Sequence, residues 1–238
     1  MEVVNAIVLK SVPFVERQRI IRLFSLEHGF LSMMTPAFPN RRGGIGTARA
    51  MQVVEVEFAR SARGELHALR SIRPTRDTST IGSDVFKMNI ALLWSEVLCL
   101  ILRHEARNEP LYDYLRRSVE YLDVAGDDVA NFNLFFLYRL CDLLGFRIET
   151  SSYREGYLFN LRDGLFCPSC PSAGDVIGPR AAGAIYRLCC TPLQSIREIP
   201  LNGEGRGILL NVVLSFIGRH LDVDFNTKSI QVIREVFA

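Results

Sequence analysis

Lysine and tryptophan are scarce in these 238 residues: three lysines stand against 25 arginines, and Trp94 is the one tryptophan. Long apolar runs are also missing. Residues 90–102 are interrupted by Ser95 and Glu96, and residues 208–217 by Asn211 and Ser215. Both fall short of the ~18 uncharged residues a spanning helix needs, so no membrane association is expected. Met1-Glu2-Val3-Val4 lacks a basic leader, and the first apolar run breaks at Asn5 and Lys10, so no secretory signal is expected and a cytoplasmic setting is predicted. Repeats and low-complexity tracts are absent. With 48% hydrophobic and 23% charged residues, the composition is that of a globular protein of one or two domains.

Catalytic signatures are missing as well. The four histidines, His28, His67, His104 and His220, are scattered. His104-Glu105 begins like a zinc-protease helix, but Asn108 stands where the second histidine ligand belongs. Gly43-Gly44-Ile45-Gly46 has no following Lys-Ser/Thr and is no P-loop, no Gly-x-Ser-x-Gly elbow occurs, and no carboxylate pair stands out, Asp127-Asp128 reading as a helix start. The expectation is a protein that is not an enzyme.

Six cysteines are present. Cytosolic disulfides are not expected, and Cys99 and Cys141 fall in the most apolar helical segments, as core residues do. Cys167-Pro-Ser-Cys170 is half of a zinc site, since two thiolates at that spacing chelate one side of a tetrahedron. Cys189 and Cys190 point ~100° apart on a helix, so at most one of them can help close it. No metal or other cofactor is therefore expected; if zinc is bound, Cys167 and Cys170 are its ligands.

Charge is uneven. Residues 1–80 carry a balance of +5 and residues 81–238 one of −3, within a total of +2. A polyanion would be held by the first part. Strand patterns occupy residues 3–10, 19–25, 29–34, 51–58 and 65–72, with a basic Pro/Gly-rich loop over 36–46. Five short strands and one long loop suit a small barrel of oligonucleotide-binding (OB) type, although strand count leaves other five-stranded barrels open.

After Pro74 the texture becomes helical. Helices are expected over 85–104 behind an Asp84 cap, 111–121, 129–144, 178–190, 207–220 and 229–236, with a hairpin at 153–166 around Arg162-Asp163. The glycines of 203–207 read as turn punctuation. The fold class is α+β: an OB-type barrel domain over 1–78 and a mostly α-helical domain over 79–238, with a degenerate zinc-finger-like hairpin inserted at about 150–175.

The ordered set of segments resembles the RecO family of bacterial recombination and repair proteins, in its Bacteroidetes branch. These segments are Ala6-Ile7-Val8-Leu9-Lys10-Ser11, Leu23-Phe24-Ser25-Leu26-Glu27-His28-Gly29, Arg63-Gly64-Glu65-Leu66, Val129-Ala130-Asn131-Phe132-Asn133-Leu134, Leu143-Leu144-Gly145-Phe146 and the tail from Ser229 to Phe237. The resemblance implies a recombination mediator without catalytic chemistry. Such a protein binds single- and double-stranded DNA, anneals complementary strands, engages single-strand-binding protein, and with RecR loads RecA.

Three departures stand out. Cys167 and Cys170 match the second Cys-x-x-Cys pair of the family's zinc finger, but Ser151-Ser152-Tyr153-Arg154 replaces the first. Packing of Tyr153, Tyr157 and Phe159 is expected to hold the hairpin instead. Thr35-Pro36-Ala37-Phe38 stands where the family has a basic step, and positive charge resumes at Arg41, Arg42 and Arg49. Asn131-Phe132 occupies a place where some relatives are basic, so the family's partner pocket does not carry over.

The DNA-contact candidates are Arg41, Arg42, Arg49, Arg19 and Arg63, with Phe38 either stacking on a base or anchoring the loop. The competing reading is a protein-interaction adaptor whose barrel holds a peptide.

Overall fold

The structure, a computed structural model, describes residues 1–15, 18–35, 48–62, 64–76, 78–126, 129–169 and 173–225. It divides into two compact units, Met1–Val124 and Ala125–Ala238.

In the first unit β1 (Glu2–Pro13), β2 (Arg19–Ser25), β3 (Gly29–Met34), β4 (Val53–Ala59) and β5 (Leu66–Pro74) close into a barrel in the order β1-β2-β3-β5-β4. Every pairing is antiparallel except β3 with β5. Period-two alternation produces this: Val4, Ala6, Val8, Ile21, Leu23, Val56 and Phe58 meet inside. A bulge between Val8 and Lys10 resets the phase of β1 and turns Lys10 outward.

Ile7, Leu9 and Phe24 lie on the outer face yet are completely buried, and α2 (Val85–Ile101) packs on β1 over the first two. Lys10 Nζ pairs with Glu96 at 2.6 Å, and Ser95 Oγ donates to the Leu9 carbonyl. Asp84 caps α2 by accepting from the Phe86 and Lys87 amides. The short α1 (Ser79–Ser83) is tied to α3 (Glu109–Val124) at Asp123, whose carboxylate accepts from Thr80 Oγ1 and the Ile81 amide. On α3 the buried Leu111, Leu115, Val119 and Leu122 follow helical spacing. These helices extend the barrel's compact unit to Val124.

The second unit holds α4 (Val129–Leu143), α5 (Pro179–Cys190) and α6 (Gly203–Leu221), with a small sheet in the order β7 (Leu165–Cys167), β6 (Leu158–Asn160), β8 (Val176–Ile177). The hairpin around Arg162-Asp163 stands where the sequence puts it; β8 and α1 have no counterpart in the sequence reading. Aromatic packing fills the middle, with Phe216 at 5.6 Å from Phe146, 5.7 Å from Phe159 and 4.3 Å from His220, ring centre to ring centre. One expectation is corrected: the glycines of 203–207 are not a turn but the opening of α6. Asn202 Oδ1 accepts from the Gly205 amide at 2.8 Å, and this cap, with Glu204 in the first turn, starts the helix early. The expected helix over 229–236 lies outside the described residues.

Candidate nucleic-acid interface

Strand direction alone sorts the barrel's ends. β1, β3 and β5 end, and β2 and β4 begin, at one rim, called here the upper rim. It carries the β1–β2 turn, Arg19, Thr35, Arg49 and Arg73. The lower rim carries Glu2, the β2–β3 turn, Arg60 and His67.

At the upper rim the β1–β2 turn is held by Phe14 N–H donating to Gln18 O and Gln18 N–H to Val15 O. The turn presents Phe14 and Val15 with 53% and 51% of their surface exposed. Arg19 is anchored, with Nε donating to Ser11 Oγ at 2.8 Å and Nη2 to Ser11 O at 3.0 Å, while its backbone exchanges hydrogen bonds with Thr35. Arg49 is exposed, and its guanidinium sits where a Cβ on Gly82 would fall, 2.4 Å from Nη1. Gly82 thus leaves the space Arg49 uses. Arg70 and Arg73 on β5 are exposed too. None of Arg49, Arg70 and Arg73 has an ion-pair partner among the described residues, although Glu55 lies opposite Arg73 in the β4–β5 register.

The β2–β3 outer face is only half open. At its lower end Phe24 is buried, and Phe30 N–H donates to Glu105 O in the α2–α3 link. Toward the upper rim Ile20, Arg22, Ser32 and Met34 are half-exposed. OB barrels hold oligonucleotides on this face and the flanking loops.

Of the residues named from the sequence, Arg19 and Arg49 come to the same rim; Phe38, Arg41, Arg42 and Arg63 lie outside the described residues. Sequence reasoning passed over Phe14, Arg70 and Arg73. Strict alternation does not find both arginines: Leu69 and Ile72 both point inward only because a register shift opposite Glu57 and Phe58 leaves Arg70 as an extra residue, which no local pattern announces. Phe14 carries no signal, because it follows Pro13 outside any periodic run.

The lower rim is electrostatically closed. Glu2 accepts from Arg60 Nε at 2.8 Å and Nη2 at 3.1 Å, and His28 Nε2 lies 2.8 Å from it. The Arg60 guanidinium, with help from His28, holds the Glu2 carboxyl at about 2, and Glu2 in turn raises Arg60. Burial beside Phe58, on which it stacks at 5.3 Å, lowers His67. A carboxylate near 2 when folded and at its ordinary 4.5 when unfolded contributes stability that is complete above 4.5 and is lost as the pH falls toward 2. Glu2→Gln is therefore expected to lower the melting temperature at pH 7 and to match the parent by about pH 2. Melting curves across that range check this; a gap that persists at the acid end counts against it.

The zinc-finger comparison can be tested residue by residue. Where a first thiolate pair would stand, Ser151 Oγ donates to Glu149 Oε1 at 2.7 Å, and Ser152 Oγ donates to Glu149 O at 2.6 Å and accepts from Phe166 N–H at 2.9 Å. Tyr153 stacks on Tyr186, with ring centres 4.0 Å apart, and meets Phe166 edge-on. The residues present do not fit a four-cysteine site. Cys167 is half-buried on β7, Cys170 lies outside the described residues, and no cluster of three or more His, Cys, Asp or Glu able to hold a metal occurs among the described residues. The five described cysteines are free thiols. Burial pushes Cys99 up to about 11 and raises Cys141 and the half-buried Cys189 further, which favours the protonated thiol in all three. No helix among the described residues is long and apolar enough to cross a membrane.

Comparison with known proteins agrees with the barrel-then-helices order. The family model for the N-terminal part of recombination protein O matches residues 1–77, and that for its C-terminal part matches residues 82–229. The DNA repair protein RecO of Flavobacterium johnsoniae is 28% identical over 237 residues, 98% of each chain. That of Phocaeicola vulgatus is 27% identical over 235 residues, 98% of this chain and 97% of the relative. That of Porphyromonas gingivalis is 27% identical over 224 residues, 91% of each. With both halves matched in order along nearly the whole chain, this protein belongs to the RecO family of DNA repair proteins.

Proposed function

We propose that the chain is a cytoplasmic, nucleoid-associated recombination mediator that grips DNA at the upper rim of its barrel without catalytic chemistry. On this reading it binds single- and double-stranded DNA, brings complementary strands together, and works with RecR and single-strand-binding protein to load RecA. One observation carries the proposal: an OB-type barrel presents Arg49, Arg73 and the exposed Phe14 at one rim and Arg70 farther along β5, none of the three arginines with an ion-pair partner among the described residues, while Arg60 at the other rim is already neutralised by Glu2. Guanidiniums without carboxylate partners release counterions on meeting phosphate, which gives affinity independent of sequence and steeply dependent on salt. Phe14 offers a ring for base stacking.

The test is fluorescence anisotropy of a labelled single-stranded oligonucleotide at several salt concentrations. Arg70→Glu with Arg73→Glu is expected to weaken binding about tenfold and to flatten the salt slope by about 1.4, at ~0.7 per phosphate contact. Unchanged affinity with an unchanged slope removes β5 from the interface. A parent protein that binds no DNA at low salt favours the adaptor, with a peptide on the barrel.

A further inference from the structure

The second unit carries a feature that the barrel reading leaves unused. Beside α5 lies an open hollow of about 540 Å³, walled by Tyr153, Tyr186, Arg180, Arg187, Gly183 and Glu155. Its floor is two tyrosines stacked nearly parallel, 4.0 Å apart at 10°, and wedged from the side by Phe166. The stack is built in. A Cβ on Gly183 would come within 3.1 Å of the Tyr153 hydroxyl, so glycine lets that ring approach the helix. Phe166 is itself buried, its amide held by Ser152 Oγ.

Arg180 and Arg187, two turns apart on α5, flank the stack. Both are exposed, and neither side chain has an ion-pair or hydrogen-bond partner among the described residues. By contrast, Arg139 pairs with Asp142 and Arg219 with Asp175 in the same unit. Half-exposed tyrosine rings between two free guanidiniums combine what sequence-independent recognition of single strands uses: a flat aromatic surface for a base and forked donors for the phosphates beside it. Glu155 on the wall opposes a phosphate and sets a ceiling on affinity.

We propose that this hollow is a second contact for single-stranded nucleic acid, separate from the barrel rim. It rests on the reading of the chain as a DNA-binding mediator and deepens it, since two contacts on one molecule allow two strands to be held at once.

The full-length chain is titrated with a labelled single-stranded oligonucleotide, and its complex with a bromodeoxyuridine-substituted strand is photocrosslinked and mapped by mass spectrometry. Crosslinks are expected at Tyr153 or Tyr186. Arg180→Glu with Arg187→Glu is expected to weaken binding about tenfold and to lower the salt slope by about 1.4. Glu155→Gln is expected to tighten binding, a gain that a misfolded variant does not show.

Crosslinks confined to residues 1–76, with affinity unchanged in the double reversal, overturn this site and leave the barrel reading standing. Loss of a labelled acidic peptide in the double reversal, with DNA affinity unchanged, assigns the hollow to a peptide and overturns it as well. A parent chain that binds no oligonucleotide at low salt removes both readings.

Discussion

Replacing Phe216 by alanine is expected to cost the second unit about 3–5 kcal/mol, the range for emptying a fully buried aromatic site. The ring is completely buried and touches Phe146, Phe159 and His220, each from a different segment. Gly164, with φ +68°, brings the β6–β7 turn onto it: a Cβ there would lie 3.4 Å from the ring. No single neighbour can swing in to fill the space, so a cavity remains. Set against the ~5–15 kcal/mol that holds a typical domain, the loss is a large fraction. Four of the seven tyrosines (Tyr138, Tyr153, Tyr157 and Tyr186) lie in this unit and three in the first, so near-ultraviolet circular dichroism reports both, and the part of its melt that Trp94 fluorescence does not track follows this one. A tyrosine-detected melt lowered by more than about 10 °C is expected, with Phe216→Leu recovering much of the loss. A melt unmoved by alanine would mean that the aromatic packing does not hold the unit together.

Gly29→Ala is the second large effect, at about 3 kcal/mol or more, and it strikes the barrel. Gly29 has φ +74°, which costs an alanine roughly 1–2 kcal/mol by itself. Its added carbon would also fall 2.4 Å from the carbonyls of Glu105 and Ala106, which no rotamer change relieves because both are backbone. The link between α2 and α3 must then retreat, and the Phe30 amide loses its acceptor on Glu105. Gly145→Ala separates the two contributions. Its φ is +89° with open space around it, so only the backbone term of about 1–2 kcal/mol is expected there. Equal losses in the two variants, read by urea unfolding, would show that the close approach at Gly29 is harmless.

Much of the fold was legible because its signals are local. Alternation marks the five strands, Asp84 and Pro179 mark helix starts, and the all-round apolar character of residues 85–101 announces a helix buried on several sides, here by β1, α1 and α3. Strand order was not legible: the parallel β3–β5 pair joins residues far apart in sequence, and no local pattern encodes it. The start of α6 was misplaced because three glycines in five residues read as a turn, whereas one asparagine cap and the packing behind it outweigh their poor helix propensity. For the candidate interface, residue type indicated arginines, but the sequence does not say which of them already has a partner. Arg60 and Arg73 look alike there; one is paired with Glu2, the other has no ion-pair partner among the described residues.

The barrel's closure also has a consequence for how the chain is made. β1–β2, β2–β3 and β4–β5 are hairpin neighbours that can form as soon as each is synthesised, while β1–β4 and β3–β5 must wait for the later strands. Until then β1 and β3 are bare edges with unpaired amides and carbonyls, the kind of surface that recruits other strands. Ile7 and Leu9 add to the exposure, since α2, which packs on β1, is made after the strands. A nascent chain halted before residue 53 therefore presents an open sheet, and one halted between residues 75 and 84 has all five strands but still shows the apolar face that α2 covers; over this span the protein depends most on chaperones.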